Sequence, residues 1–182
     1  MKRLVGKSAG GGIAIGRMHI LKKQDIIVRR EKTDDAEAEI LRLEKAKQTA
    51  INELTQIHEK ALREVGEAGA QIFEIHIMLI EDEDFNEAVT GMIRTSLVNA
   101  EYAVAAASDN MSEIFSNMED GYMQARAADI SDIANRLIRC LQSRPQQNEA
   151  LTEKVIICAD DLSPTETMQL DKNSILAFVT AH

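Results

Sequence analysis

Between Thr33 and Leu141 apolar side chains recur three or four residues apart, whereas on both flanks they come in short strand-like runs. A hydrophobic period that switches from sheet to helix and back demands a helical bundle set between pieces of a sheet-containing unit. The first helical run carries Ile40, Leu43, Ala46, Ala50, Leu54, Ile57, Ala61 and Val65; Thr33 or Asp34 can cap it, and Gly66 and Gly69 end it. A second carries Ile72, Phe73, Ile75, His76 and Leu79. A third is expected to start near Asp84, which stands at capping-box spacing from Glu87, and to carry Phe85, Ala88, Val89, Met92 and Ile93. Asn99 opens a fourth, with Ala103, Val104, Ala107, Met111, Ile114 and Phe115 on one face. Glu119-Asp120-Gly121 turns into a fifth, with Tyr122, Ala125, Asp129, Ile133, Leu137 and Leu141. The expectation is an antiparallel bundle.

The flanks follow another grammar. Ile13, Ile15, Met18, Ile20 and Leu21 predict a strand from Ile13 to Leu21, preceded by the glycines Gly10 to Gly12. That glycine run is not a nucleotide loop: Ile15 stands where a dinucleotide fingerprint needs its third glycine, and Arg17-Met18 follows Gly16 where a phosphate loop needs Lys and Ser or Thr. After a polar linker from Ser143 to Glu149, Val155 to Ala159 predicts a strand, Ser163-Pro164-Thr165-Glu166 a capping box with Pro at the first helical position, and Ser174 to Thr180 another strand. The α/β part is expected to be incomplete, because the chain stops two residues after that last strand.

Only 3% of the 182 residues are aromatic and Trp is absent, so the core must come from Ala, Leu, Ile, Val and Met, a composition suited to helices. The formal charge of -9 argues against nucleic acid or an anionic membrane as partner and for a basic protein. There is no apolar run of signal-peptide or membrane-spanning length, which points to the cytoplasm. Cys140 and Cys158 lack metal-type spacing and read as two reduced thiols.

Between Arg63 and Arg94 there is no Lys or Arg, yet Glu64, Glu67, Glu74, Glu81, Asp82, Glu83, Asp84 and Glu87 all fall there. Two readings stand: a field that steers a basic partner, or acids that complement a helix amino terminus and solvate a face. His76 lacks companions at ligand spacing, so metal binding is poorly supported and a structural role is the ordinary reading. Met78, Leu79 and Phe85 are core or partner contacts; one apolar stripe cannot be both, and an exposed one marks an interface. The same alternatives hold for Met111, Tyr122, Met123 and Arg126, and Arg126 could simply pair with Asp129 three residues on.

Four blocks resemble enzyme I of the phosphoenolpyruvate:sugar phosphotransferase system. SAGGGIAIG is similar to the family's S-P-G-I-A-x-G opening, with Ala9 in place of proline and an extra glycine. IFEIHIMLIEDED, from Ile72 to Asp84, resembles I-F-E-x-H-x-M-L-x-E-D. RAADISDIANRLIR, from Arg126 to Arg139, resembles R-A-A-D-x-x-D-I-x-x-R-L, and ICADDLSPTETMQLD resembles A-x-D-L-T-P-S-E-T-x-Q-L.

The resemblance implies a mixed α and β fold: a helical HPr-docking bundle over 33–143, inserted into a swivelling α/β phosphohistidine domain formed by 1–32 and 144–182 and truncated before the phosphorylated histidine. It implies a phosphotransferase parent that relays phosphoryl from phosphoenolpyruvate through that histidine to the phosphocarrier HPr. The family's glycine-rich Thr-Ser-His turn is absent, and His182 lacks its context. No residue here is therefore expected to be catalytic, and the fragment is expected to dock HPr without activity.

Residues placed on the docking surface by the resemblance are Glu67, Ile72, His76, Met78, Leu79, Asp82, Glu83, Asp84, Phe85, Met111, Tyr122, Met123 and Arg126, and Thr167 lies near the missing histidine. Phosphoenolpyruvate and magnesium belong to the missing carboxy-terminal domain, through which the parent dimerises; the fragment itself is expected to be a monomer without cofactor. A stand-alone helical interaction module and a regulatory or nitrogen-type paralogue are the rivals. The IHIMLIEDED block weighs against a pyruvate-phosphate dikinase.

Overall fold

The computed structural model describes residues 6–8, 10–21, 26–143 and 153–181, so the linker from 144 to 149 and His182 lie outside the described residues. The chain divides into two compact units. One comprises the described residues of Met1–Lys23, Glu149–Leu162 and Leu170–His182, and the other those of Gln24–Asn148 and Ser163–Gln169.

The larger unit is built on α1 (Ala36–Val65), whose first turn is capped by Asp35: its carboxylate accepts from the Ala38 amide at 2.9 Å. The capping residue is thus one place beyond the pair proposed from sequence, while the Thr33 hydroxyl accepts from the Asp35 amide. Gly66, at φ 80°, ends the helix in a conformation that side-chain-bearing residues avoid. Leu43, Ala46, Ala50, Leu54, Ile57 and Ala61 are its buried stripe. With three alanines in that stripe, neighbouring helices can approach closely, as a core nearly free of aromatics requires.

Around α1 pack α2 (Glu67–Glu81), α3 (Glu83–Ser96), α4 (Ala100–Ser116) and α5 (Gly121–Leu141). The α3–α4 connection is stitched to the segment that enters the bundle. Lys32 bridges Val98, Thr33 donates to the Leu97 carbonyl at 2.9 Å, and Asn99 donates to the Glu31 carbonyl at 3.0 Å.

A short α6 (Pro164–Gln169) also belongs to this unit, although the residues flanking it belong to the other. The capping box forms as its sequence promised: Ser163 N–H donates to Glu166 Oε2 at 2.8 Å, and Glu166 N–H to Ser163 Oγ at 3.3 Å. Met168 joins the bundle's hydrophobic cluster, and Lys60 Nζ donates to its carbonyl.

The smaller unit is a three-stranded parallel sheet ordered β1 (Arg17–Ile20), β2 (Val155–Ala159), β3 (Ile175–Thr180). Arg17 pairs with Val155 and Ile20 with Cys158, so strands far apart in sequence are neighbours and the bundle occupies the chain between them. The first strand is shorter than expected. Ile13 and Ile15 are 95% and 89% exposed, because the ladder with β2 begins only at Arg17.

Candidate protein-docking surface

Helix α2 separates its residues cleanly by spacing. Ala70, Phe73, His76 and Ile80 are buried, whereas Glu67, Gln71, Glu74, Met78 and Glu81, alternately four and three residues apart, are exposed. Met78 is 68% exposed in the middle of that outer stripe, an apolar side chain among carboxylates. Ile72 and Leu79 are half-buried and pack against the hydrophobic cluster. The choice between core and surface, open in the sequence, is thereby divided: Met78 outward, Leu79 mostly inward.

Asp82 breaks the chain between α2 and α3 with φ -56° and ψ 129°, and its carboxylate accepts from the Phe85 amide at 2.9 Å. The third helix therefore starts at Glu83, and Asp82 caps it rather than Asp84, since the carboxylate that reaches a first-turn amide lies three residues before Phe85. Asn86 Nδ2 donates to the carbonyls of Ile80 and Asp82, closing the end of α2. Glu83, Asp84 and Glu87 are exposed. Among the described residues, Glu64 of this window pairs with Lys60 at 3.9 Å, and the Glu74 carboxylate lies 3.1 Å from Nε2 of His58. Glu67, Glu81, Glu83, Asp84 and Glu87 face water, while the half-buried Asp82 is engaged in its cap.

Two expected surface residues do not present themselves. Phe85 is 2% exposed, its ring drawn into the core by the first turn of α3, and His76 is 1% exposed. His76 meets Phe73 edge to face, with ring centroids 6.5 Å apart, and its Nε2 lies 3.4 Å from Asp129 Oδ1 on α5. Arg126 Nη1 donates to the other oxygen of the same carboxylate at 2.7 Å. Burial works against the ionised Asp129, but the hydrogen bonds from His76 and then Arg126 overcome it and hold its pKa below the ordinary value. Sequence had paired Asp129 only with Arg126; the contact with His76 spans 53 residues and leaves no local signal.

Met111 and Met123 are half-buried on α4 and α5. The Tyr122 side chain lies outside what the structure describes. Thr167 donates its hydroxyl to the Ser163 carbonyl at 3.0 Å within α6. Among the described residues, no group of three or more His, Cys, Asp or Glu side chains is placed to hold a metal, and no helix is long and apolar enough to cross a membrane.

A family model described as PEP-utilising enzyme, N-terminal, matches residues 5–126. The chain belongs to that family. Relatives of this PEP-utilising enzyme N-terminal chain include the phosphoenolpyruvate-protein phosphotransferase of Listeria monocytogenes serovar 1/2a, 36% identical over 180 residues, covering 98% of this chain and 32% of the relative. The Bacillus subtilis protein of the same name is 36% identical over 181 residues, covering 99% and 32%. The chain thus spans about a third of the length of the curated relatives it matches.

Among solved structures, an NMR solution structure of Enzyme I aligns with TM-score 0.79 and 35% identity, over 92% of this chain and 68% of that one. The N-terminal domain of Enzyme 1 - Nitrogen, at 24% identity and TM-score 0.69 over 93% and 70%, shares the fold. The mostly helical chain with a small parallel sheet therefore has the Enzyme I N-terminal architecture.

Proposed function

We propose that this PEP-utilising enzyme N-terminal chain docks the phosphocarrier HPr on the outer face of α2 and the start of α3, as the amino-terminal part of a cytoplasmic phosphoenolpyruvate-protein phosphotransferase. The observation that carries the reading is the exposed stripe Glu67, Glu74, Met78 and Glu81, continued by Glu83 and Asp84: one apolar anchor ringed by carboxylates. Such a surface suits a small protein with an apolar patch inside a basic rim; the anchor supplies affinity, and the charges supply steering and register. Ile72, Leu79, Asp82, Met111, Tyr122, Met123 and Arg126 complete or support the proposed surface. The buried His76 and Phe85 act from beneath it.

In the parent protein, a neutral histidine would attack the phosphorus of phosphoenolpyruvate, releasing pyruvate and becoming phosphohistidine in a reaction that calls for magnesium, and would then hand the phosphoryl group to a histidine of HPr. Two imidazoles must meet in line across the transferred group, so the bundle, proposed to span 33–143, serves by positioning. The sheet segments are proposed to belong to the α/β domain that carries the histidine, with Thr167 near it. The chain itself has no assigned catalytic residue.

An NMR titration of the labelled chain with unphosphorylated HPr at low and moderate salt tests the reading. Shifts gathered on Ile72 to Phe85 and Tyr122 to Arg126, weakening with salt, are expected. A folded spectrum that HPr leaves unchanged would overturn it.

A further inference from the structure

His76 places a polar ring in the buried stripe of α2, where Ala70, Phe73 and Ile80 are otherwise small or apolar. Apolar contacts alone leave a helix several nearly equivalent rotations about its axis; a buried hydrogen bond does not, because it is directional and costly to leave unmade. The polar partner the structure gives His76 is Asp129, whose second oxygen takes the guanidinium of Arg126. We propose that Asp129 is a positioning residue for the docking face: by holding His76 inward and Arg126 in place on α5, it fixes the rotation of α2 and hence the outward presentation of Glu74, Met78 and Glu81. The inference rests on the docking reading above.

The geometry follows from helix periodicity. At about 100° per residue, side chains two positions apart point roughly 200° apart, so an inward His76 requires an outward Met78. Because an ionised Asp129 can only accept, the contact requires a proton on Nε2 of His76. Turning α2 enough to hide Met78 would strand a buried imidazole and leave the carboxylate with Arg126 alone. Arg126, on the helix that supplies Asp129, is thereby tied to the same registration.

The test uses the labelled full chain and unphosphorylated HPr. Long-range proton–nitrogen correlations report the His76 tautomer, and titrations give affinities for wild type, Asp129→Ala and His76→Gln, each with and without Met78→Ala. Loss of Asp129 is expected to weaken HPr binding about tenfold, a typical coupling between two sites. His76→Gln, which keeps an amide donor for the carboxylate, is expected to stay within about threefold of wild type, since a retained hydrogen bond preserves most of the registration. Met78→Ala should cost less in the Asp129→Ala background than in wild type, because the anchor is no longer presented; a residue that matters only to stability would leave that cost unchanged.

Equal Met78→Ala penalties in both backgrounds would overturn the proposal, as would the Nδ1–H tautomer. Should Asp129→Ala fail to fold, His76→Leu decides: wild-type affinity defeats the proposal, and weakened binding with displaced α2 amide shifts supports it. Failure of the wild-type chain to bind HPr would count against docking itself; contacts between α2 and α5 in the variants would still show whether Asp129 sets the rotation.

Discussion

Arg136 on α5 is 4% exposed and donates to Glu53 on α1, which also takes Arg139 at 3.4 Å. Burial, and then the like charge of Arg139, push the Arg136 pKa down, so Glu53 is what makes a guanidinium tolerable there. Removing a partner of a buried charge costs more than the pair itself contributes. Glu53→Gln is expected to destabilise the bundle by about 2 kcal/mol, the scale of a charged hydrogen bond lost at a half-exposed carboxylate. Arg136→Met in the Glu53→Gln background should recover part of that loss. Urea denaturation of the two variants checks the order.

Leu97, in the α3–α4 connection, sits at φ 48° and ψ 52°, a left-handed conformation that costs an ordinary side chain roughly 1–2 kcal/mol. It is 47% exposed, so little packing offsets the strain. Leu97→Gly is expected to stabilise the chain by about 0.5–1 kcal/mol after glycine's entropic cost. A fall in the urea midpoint would show that the leucine's contacts outweigh its backbone.

The cap of α3 separates two neighbouring acids. Asp82→Ala should cost about 1 kcal/mol, the usual worth of a side-chain cap, and speed amide exchange in the first turn of α3, Phe85 above all. Asp84→Asn should leave both within error, because its exposed carboxylate caps nothing. Hydrogen exchange on the two variants reads the difference directly.

These cases mark what the sequence held and where it ran out. The 3.6-residue period and the punctuating Gly66, Asn99 and Gly121 were enough to place five helices, and Ser163 with Glu166 announced a cap that forms. Within Ile75 to Ile80, however, apolar residues cover the helix nearly all round, so only the packed neighbours decide that Met78 faces water while Ile80 is buried. The spacing of Asp84 from Glu87 pointed to Asp84 as the cap, but the break in backbone falls at Asp82, whose carboxylate takes the Phe85 amide instead. Ile13 and Ile15 read as strand because β propensity was satisfied, but pairing needs a partner, and β2 offers one only from Arg17 onward. His76 beside Asp129 is a tertiary fact with no local trace.

Asp129 also predicts an acid dependence. Its folded pKa is depressed, so its contribution to stability is fully present above the ordinary value of 3.8 and is lost as pH falls through the lower folded value. Wild type should therefore lose stability relative to Asp129→Asn only as pH falls below about 3.8 and through the depressed folded value. Urea midpoints for the two proteins across that range should converge; a constant gap would mean that the Asp129 charge is not what the His76 and Arg126 contacts stabilise.

The docking face makes its own demand, because an exposed anchor can be removed without disturbing the fold. Met78, 68% exposed, makes few contacts with the core, so Met78→Ala should change stability by less than about 0.5 kcal/mol, as surface substitutions do. If it is the apolar centre of the HPr surface, the same change should weaken binding about tenfold, as loss of an interface anchor does. Glu67→Gln and Glu74→Gln should act differently: as rim charges they should lower the association rate and flatten its salt dependence while leaving dissociation nearly unchanged. Among the described residues, the Glu74 carboxylate has the His58 ring 3.1 Å away and Glu67 has no such neighbour, so the larger effect is expected at Glu67. Stopped-flow or surface-binding kinetics at two salt concentrations distinguishes the roles; an anchor effect at Met78 with no charge effect at either glutamate would leave an apolar interface that the acidic window merely surrounds.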